Sequence, residues 1–248
     1  MATTKENRTF THDVGIRPDA LAELVQTGST ALQEGNLTEA LDIFQEVVNA
    51  FPDRPEGHNN LGALYSSLGD LAKAEACFDK VISLLPDNPN VLYNRGVVRS
   101  RLEKFDGARA DFRAVMESCP NDVDTLNNLG VTDYMQGHLD DAATHFKAAL
   151  KIKPDYAGAL VNLCDVELAR GATAQAVAIC DDYLRSYSNL EVRRKQFEIL
   201  SSGCREAIDK ASRTAESLLA WDTDNPQVRQ ELGRLIQART VLNEAAAV

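Results

Sequence analysis

Few side chains in this sequence could do covalent or metal chemistry, and their spacing argues against it. The histidines are His12, His58, His138 and His145. His138 and His145 stand seven residues apart and read as lacking an acidic partner at ligand spacing. No H-E-x-x-H pair occurs, so the expectation is no metal and no cofactor. Cys77, Cys119, Cys164, Cys180 and Cys204 are odd in number and far apart. That pattern excludes a disulfide framework and a zinc site, and reads as small apolar packing residues in a reducing compartment. There is no phosphate-binding glycine loop, and no serine or cysteine nucleophile has a base and an orienting group in its pattern. No catalytic residue is expected, and the chain is not read as an enzyme. What recurs instead is an amide. Gln26, Asn60, Asn94, Asn128 and Asn162 follow one another at intervals of 34 residues. An amide side chain both donates and accepts, so it can pair with a peptide backbone running in either direction.

Something must hold those amides at a constant interval, and the same period runs through the residues around them. Pro52, Pro86, Pro120 and Pro154 are also 34 residues apart. Frames drawn back from them open at Leu21, Pro55, Pro89 and Val123. The eighth position of each frame is Gly28, Gly62, Gly96 and Gly130, and the twentieth is Ala40, Ala74, Ala108 and Ala142. The twenty-fourth is Phe44, Phe78, Phe112 and Phe146. Positions seven and eleven are looser: Leu61, Leu129 and Tyr65 fit, whereas Arg95, Arg99 and Asp133 do not. Each frame carries two stretches with apolar residues at helical spacing, which predicts two amphipathic helices, A then B. Gly35, Gly69, Gly137 and Gly171 fall between A and B, where a left-handed glycine ends helix A. Asn36 and Asp70 follow as candidate caps for helix B. The proline closes helix B, since it offers no N–H and clashes with the preceding turn.

These glycines, alanines, phenylalanines and prolines resemble the signature of the tetratricopeptide-repeat family across residues 21–154. The resemblance implies an all-α, right-handed superhelical solenoid of antiparallel helix pairs. Repeats are expected at 21–54, 55–88, 89–122, 123–156 and 157–190. The fifth keeps Leu160, Leu163 and Ala176 but has Cys164, Cys180 and Ser188 where glycine, phenylalanine and proline stood. A degenerate hairpin at 191–222, turning at Ser201-Ser202-Gly203, is expected next, then a C-terminal capping helix at 226–244. A solenoid needs such an atypical end, because no following repeat covers its last apolar face. Trp221 reads as a packing residue under that cap. The domain organisation is thus a flexible tail at 1–18 and a solenoid at 19–248.

In this family the A helices line a concave groove, with positions two, five, six, nine, twelve and thirteen looking into it. Transferred to this sequence, that mapping makes Gln26, Asn60, Asn94, Asn128 and Asn162 a ladder along the groove. The arrangement is similar to the asparagine ladder in the O-GlcNAc transferase superhelix, which holds extended segments. Asn59, Tyr93 and Asn127 at position five, Tyr134 at position twelve, Asp165 at position nine and Arg101 at position thirteen complete the candidate peptide-binding face. The carboxylate clamp of chaperone-binding relatives needs lysine at position five and arginine at position six, and neither is present. A terminal-carboxylate ligand is therefore not expected.

Charge bounds the partner. The chain has 248 residues with a formal charge of −11, which disfavours nucleic acid and favours neutral or basic polypeptides. Met1 to Asp19 carries charges throughout and no apolar run, so neither a signal peptide nor membrane insertion is expected, and the localisation read is cytoplasmic. The function expected is a non-enzymatic adaptor that binds an extended segment in the groove. One alternative is a self-assembling homo-oligomeric scaffold, with the tail residues Arg8, Phe10, His12 and Arg17 as an internal ligand. Another is a substrate-recruiting subunit for a separately encoded enzyme such as a glycosyltransferase.

Overall fold

Within each frame the sequence places glycine opposite phenylalanine, and the three-dimensional arrangement follows from that pairing. A computed structural model describes residues 18–221 and 225–245. Its described residues form twelve α-helices and no strand. They divide into two compact units that meet in sequence at Cys119 and Pro120.

The first unit holds three helix pairs. They are α1 (Pro18–Gln33) with α2 (Leu37–Ala50), α3 (Pro55–Leu68) with α4 (Leu71–Leu84), and α5 (Pro89–Arg101) with α6 (Phe105–Ser118). Each pair packs on the next through α2 on α3 and α4 on α5, and the A helices α3 and α5 also touch. The second unit holds α7 (Val123–Met135) with α8 (Leu139–Ile152) and α9 (Ala157–Ala169) with α10 (Thr173–Ser186). These are followed by α11 (Leu190–Trp221) and α12 (Pro226–Ala245). Here α7 packs beside α9, and α11 packs on both α9 and α10.

The predicted frames place ten of these helices. The B helices of the first four repeats each end two residues before the marking proline, at Ala50, Leu84, Ser118 and Ile152. Gly69 closes α3 with φ +83°, and Gly35, Gly137 and Gly171 adopt the same left-handed backbone. The third repeat has no glycine there, and Glu103 takes the strained position at φ +58° instead. Of the two expected caps, Asp70 accepts from the Lys73 N–H, whereas the Asn36 side chain makes no cap bond. Asn88 and Asp122 cap α5 and α7 in the same way and lay outside the expectation.

The core of each pair is the closed contact between its eighth and twenty-fourth residues. Phe44, Phe78, Phe112 and Phe146 are all fully buried. A Cβ added to the facing glycine would lie 2.6 Å from Phe44, 2.8 Å from Phe78, 2.7 Å from Phe112 and 2.6 Å from Phe146. No side chain fits between those helices.

One expectation fails. Residues 191–222 are not a hairpin: α11 runs unbroken for 32 residues through Ser201, Ser202 and Gly203. Ser201 bonds back to the Glu198 carbonyl at 3.0 Å within the helix, and Gly203 keeps a negative φ. A single glycine costs a helix about 1 kcal/mol relative to alanine, too little to break one with helix formers on both sides. The partner of α11 is therefore α12, which forms the last helix pair rather than a lone cap. The tail at 1–17 and the side chain of Trp221 lie outside the described residues.

Two glycine substitutions separate packing from propensity. Gly130→Ala drives a methyl into the Phe146 ring, and overpacking less the helix gain leaves about 1–2 kcal/mol of destabilisation. Nothing lies within 4 Å of a Cβ at exposed Gly203, so Gly203→Ala stabilises α11 by about 0.5–1 kcal/mol. Urea unfolding of both variants checks the opposite signs.

Candidate peptide-binding surface

The candidate residues all lie on the A helices α1, α3, α5, α7 and α9, within five residues of the eighth position of each frame. In the first unit Asn59 and Asn60 on α3 and Asn94 on α5 are half-buried, and Gln26 on α1 is exposed. Among the described residues the side-chain amides of these four make no hydrogen bond. Half-buried amides without protein partners keep both donors and acceptor available to a ligand backbone.

Most of the remaining candidates are already engaged. Tyr93 stands edge-on to the Phe112 ring, with centroids 6.0 Å apart and planes at 61°, so it also packs the repeat core. Arg101 Nη1 donates to the Ser66 carbonyl at 3.0 Å and tethers the end of α5 to the end of α3. In the second unit Asn162 Nδ2 donates to Asn127 Oδ1 at 2.9 Å, joining α9 to α7. Asn128 and Tyr134 are half-buried on α7. Asp165 pairs with Lys195 of α11 at 2.6 Å. The 34-residue series of amides continues in sequence beyond Asn162. Gln196 lies 34 residues beyond Asn162, and its amide donates to Asp181 of α10. Continuing the count by one period finds it.

Acidic groups border this face. Glu56 at position two of α3 is held by Arg54 at 2.7 Å, and the bond from that guanidinium keeps its carboxyl below the ordinary range. Asp124 at the same position of α7 accepts the Tyr156 hydroxyl at 2.8 Å.

Behind Asn94 the two misfits of the third frame explain each other. Arg95 and Arg99 replace the apolar residues expected at positions seven and eleven, and both point into a carboxylate cluster. Arg95 binds Asp111 at 2.6 Å and Asp79 at 2.7 Å. Arg99 binds Asp111 at 2.9 Å and Glu75 at 3.0 Å, and Lys104 reaches Glu75 at 2.6 Å. The cluster clamps α5 between α4 and α6 and so sets the position of Asn94. Burial pushes the Glu75 carboxyl up, but the bonds from Lys104 and Arg99 outweigh it and hold it below its ordinary range.

The third misfit, Asp133, corrects the reading of the histidines. It is 2% exposed, 2.9 Å from His145 Nδ1 and 4.0 Å from His138 Nδ1. One donor atom each from Asp133, His138 and Asp141 lies within 4.8 Å of the others, a group that could hold a cation. The signal was in the sequence, since Asp141 is three residues after His138 and four before His145, on one face of α8. The cysteine reading also needs correction: Cys164 and Cys180 are buried, but Cys119 and Cys204 are exposed.

Three tetratricopeptide-repeat family models match the chain, at residues 25–89, 61–127 and 133–195. No curated protein matches its sequence. Among solved structures, MamA residues 41 to the end from Desulfovibrio magneticus superimposes with a TM-score of 0.65 at 21% identity, covering 73% of this chain and 99% of that one. A tetratricopeptide-repeat protein from Parabacteroides merdae gives 0.65 at 18% identity, covering 89% and 86%. YrrB, described as a repeat protein with an unusual peptide-binding site, gives 0.61 at 17% identity, covering 72% and 92%. No helix among the described residues is long and apolar enough to cross a membrane.

The carboxylate cluster makes acid stability testable. A carboxyl whose folded pKa is depressed stabilises above its unfolded value of about 4.3 and loses that contribution as pH falls through the folded value. Wild type should therefore lose stability more steeply than Glu75→Gln below about pH 4.5. Asp111→Asn leaves two guanidiniums short of a partner and should cost about 3–5 kcal/mol near neutrality. Thermal unfolding across pH 3–7 reads both.

Proposed function

The chain belongs to the tetratricopeptide-repeat family, and on that premise we propose that it is an adaptor that binds an extended, neutral or basic polypeptide segment along its A helices. The observation that carries this reading is the set of half-buried amides on α3 and α5 that make no hydrogen bond among the described residues. An extended segment presents backbone donors and acceptors at regular intervals, and amides answer both without selecting sequence. Neighbouring Glu56 and the formal charge of −11 favour a segment that is not acidic. The peptide-binding site named for YrrB supports the same use of this fold.

A second reading, self-assembly, is favoured by α11 and α12. Phe197, Leu200 and Leu218 on α11 and Ile236 and Val241 on α12 are all about half-exposed or more. A two-helix pair cannot cover its own apolar faces, and a second copy could.

The two readings diverge in experiment. Fluorescence anisotropy against a panel of extended peptides should show binding to neutral and basic members and none to acidic ones. Asn60→Ala with Asn94→Ala should weaken it about 30-fold, from two hydrogen bonds of about 1 kcal/mol each, with no change in melting temperature. Unchanged affinity would remove the amides from the account. Light scattering that shows a dimer dispersed by Phe197→Ser with Ile236→Ser would favour self-assembly.

A further inference from the structure

In the first four repeats the eighth residue is always glycine and the twenty-fourth always phenylalanine, because each occupies the space the other leaves. The fifth repeat changes both at once. Cys164 stands at the glycine position and Cys180 at the phenylalanine position, the same sixteen residues apart. Two positions that touch in every other repeat therefore hold two thiols, and their Sγ atoms are 3.5 Å apart. Both residues are 0% exposed. Around them lie Leu160, Ala176, Tyr183, Val192 and Ile199, the core on which α11 sits.

Either cysteine alone would be a small buried packing residue. The pair is different, because a disulfide needs a sulfur separation of about 2.05 Å and the two atoms have only about 1.5 Å to travel. They also belong to antiparallel helices joined by one short turn, so closing the bond needs no rearrangement of the chain elsewhere. We propose that Cys164 and Cys180 are an oxidisable dithiol, a covalent modification site that locks α9 to α10 when it meets a small-molecule disulfide such as oxidised glutathione.

The chemistry balances as two exchanges. The Cys180 thiolate attacks one sulfur of the oxidant, which leaves one thiol and a mixed disulfide on Cys180. The Cys164 thiol then gives up its proton and attacks the Cys180 sulfur, releasing the second thiol. The protein loses two protons and two electrons, and the oxidant disulfide is reduced to two thiols. The order follows from the hydrogen bond between the sulfurs. That bond raises Cys164, burial adding to the effect, and lowers Cys180 against burial. Cys180 is thus the first to ionise, and Lys195 favours the thiolate on either sulfur.

Because the thiols are buried, reaction waits on local opening of the α9/α10 pair, and the exposed Cys119 and Cys204 react first. Once formed, the bond closes a short loop within the last full repeat and fixes the seat of α11. Asp165, the next residue after Cys164, carries the ion pair to Lys195 of that helix. The oxidation state of the pair would then set how firmly α11 and α12 are held.

The test uses the full chain in a Cys119→Ser, Cys204→Ser background. Incubation with oxidised glutathione should yield protein lighter by two hydrogen atoms, with a Cys164–Cys180 cross-linked peptide on non-reducing digestion. Dithiothreitol should restore the original mass. The oxidised form should melt about 5–10 °C higher than the reduced one. Cys180→Ser, nearly isosteric, should keep the fold and lose both the cross-link and the shift. Cys164→Gly with Cys180→Phe, which rebuilds the pairing of the other repeats, should do the same. A background protein that keeps both hydrogens, or gains only glutathione adducts, would overturn the proposal, as would a cross-linked form that melts no higher.

Discussion

Every helix pair in the first four repeats is closed by a glycine pressed against a phenylalanine ring, and most other features are consequences of that contact. A helix surface with no side chain at one point lets the partner helix approach until an aromatic ring fills the gap. The approach distance then leaves no freedom to slide, since a methyl at the glycine would overlap the ring in all four pairs. That contact sets how each A helix sits on its own B helix, and the packing of α2 on α3 and of α4 on α5 carries the arrangement from pair to pair within the first unit. A line of like residues at a constant sequence interval can become a line in space only on such a scaffold.

That constraint also explains which positions are free to vary. Positions seven and eleven pack next to the interlock, where leucine and tyrosine stand in the second repeat and arginines in the third. The third repeat keeps its glycine and phenylalanine and tolerates the arginines because three carboxylates and a lysine complete the cluster around them. Buried ion pairs of this kind add little net stability over an apolar core, since desolvation offsets the attraction. Their effect is directional: guanidiniums with two carboxylates on Arg95 and three on Arg99 resist rotation of α5 more than leucine and tyrosine would. The fourth repeat solves the same problem with Asp133, His145 of α8 and His138 at the cap of that helix.

What the sequence revealed follows the same division. Ten helices were legible in the repeat frames, and most of their turns and ends rest on a residue with one mechanical duty: glycine for a left-handed turn, except Glu103 in the third repeat, and proline for a stop, except Ser188 in the fifth. The eleventh helix was misread because Ser201, Ser202 and Gly203 are turn formers only where nothing extends the helix on both sides. The candidate surface was legible in position but not in state. Periodicity put Asn127 and Asn162 at neighbouring sites of successive A helices, yet the bond between them depends on side-chain rotamers that no spacing reveals. Likewise Arg95, Arg99 and Asp133 were visible only as departures, because their partners lie 12 to 24 residues away for the arginines and across a turn for the aspartate.

The state of the amides matters for how the proposed surface would work. In the first unit Asn60 and Asn94 meet a ligand with no prior bond to break, so each contact is gained in full apart from the water it displaces. In the second unit Asn162 has already given a donor to Asn127, which leaves the Asn162 carbonyl oxygen and the Asn127 N–H groups outside that bond. A ligand backbone can use those two groups without breaking the bond, and the bond itself holds both side chains in place beforehand. Affinity lost to ordering is then smaller in the second unit, while the gain per amide is larger in the first.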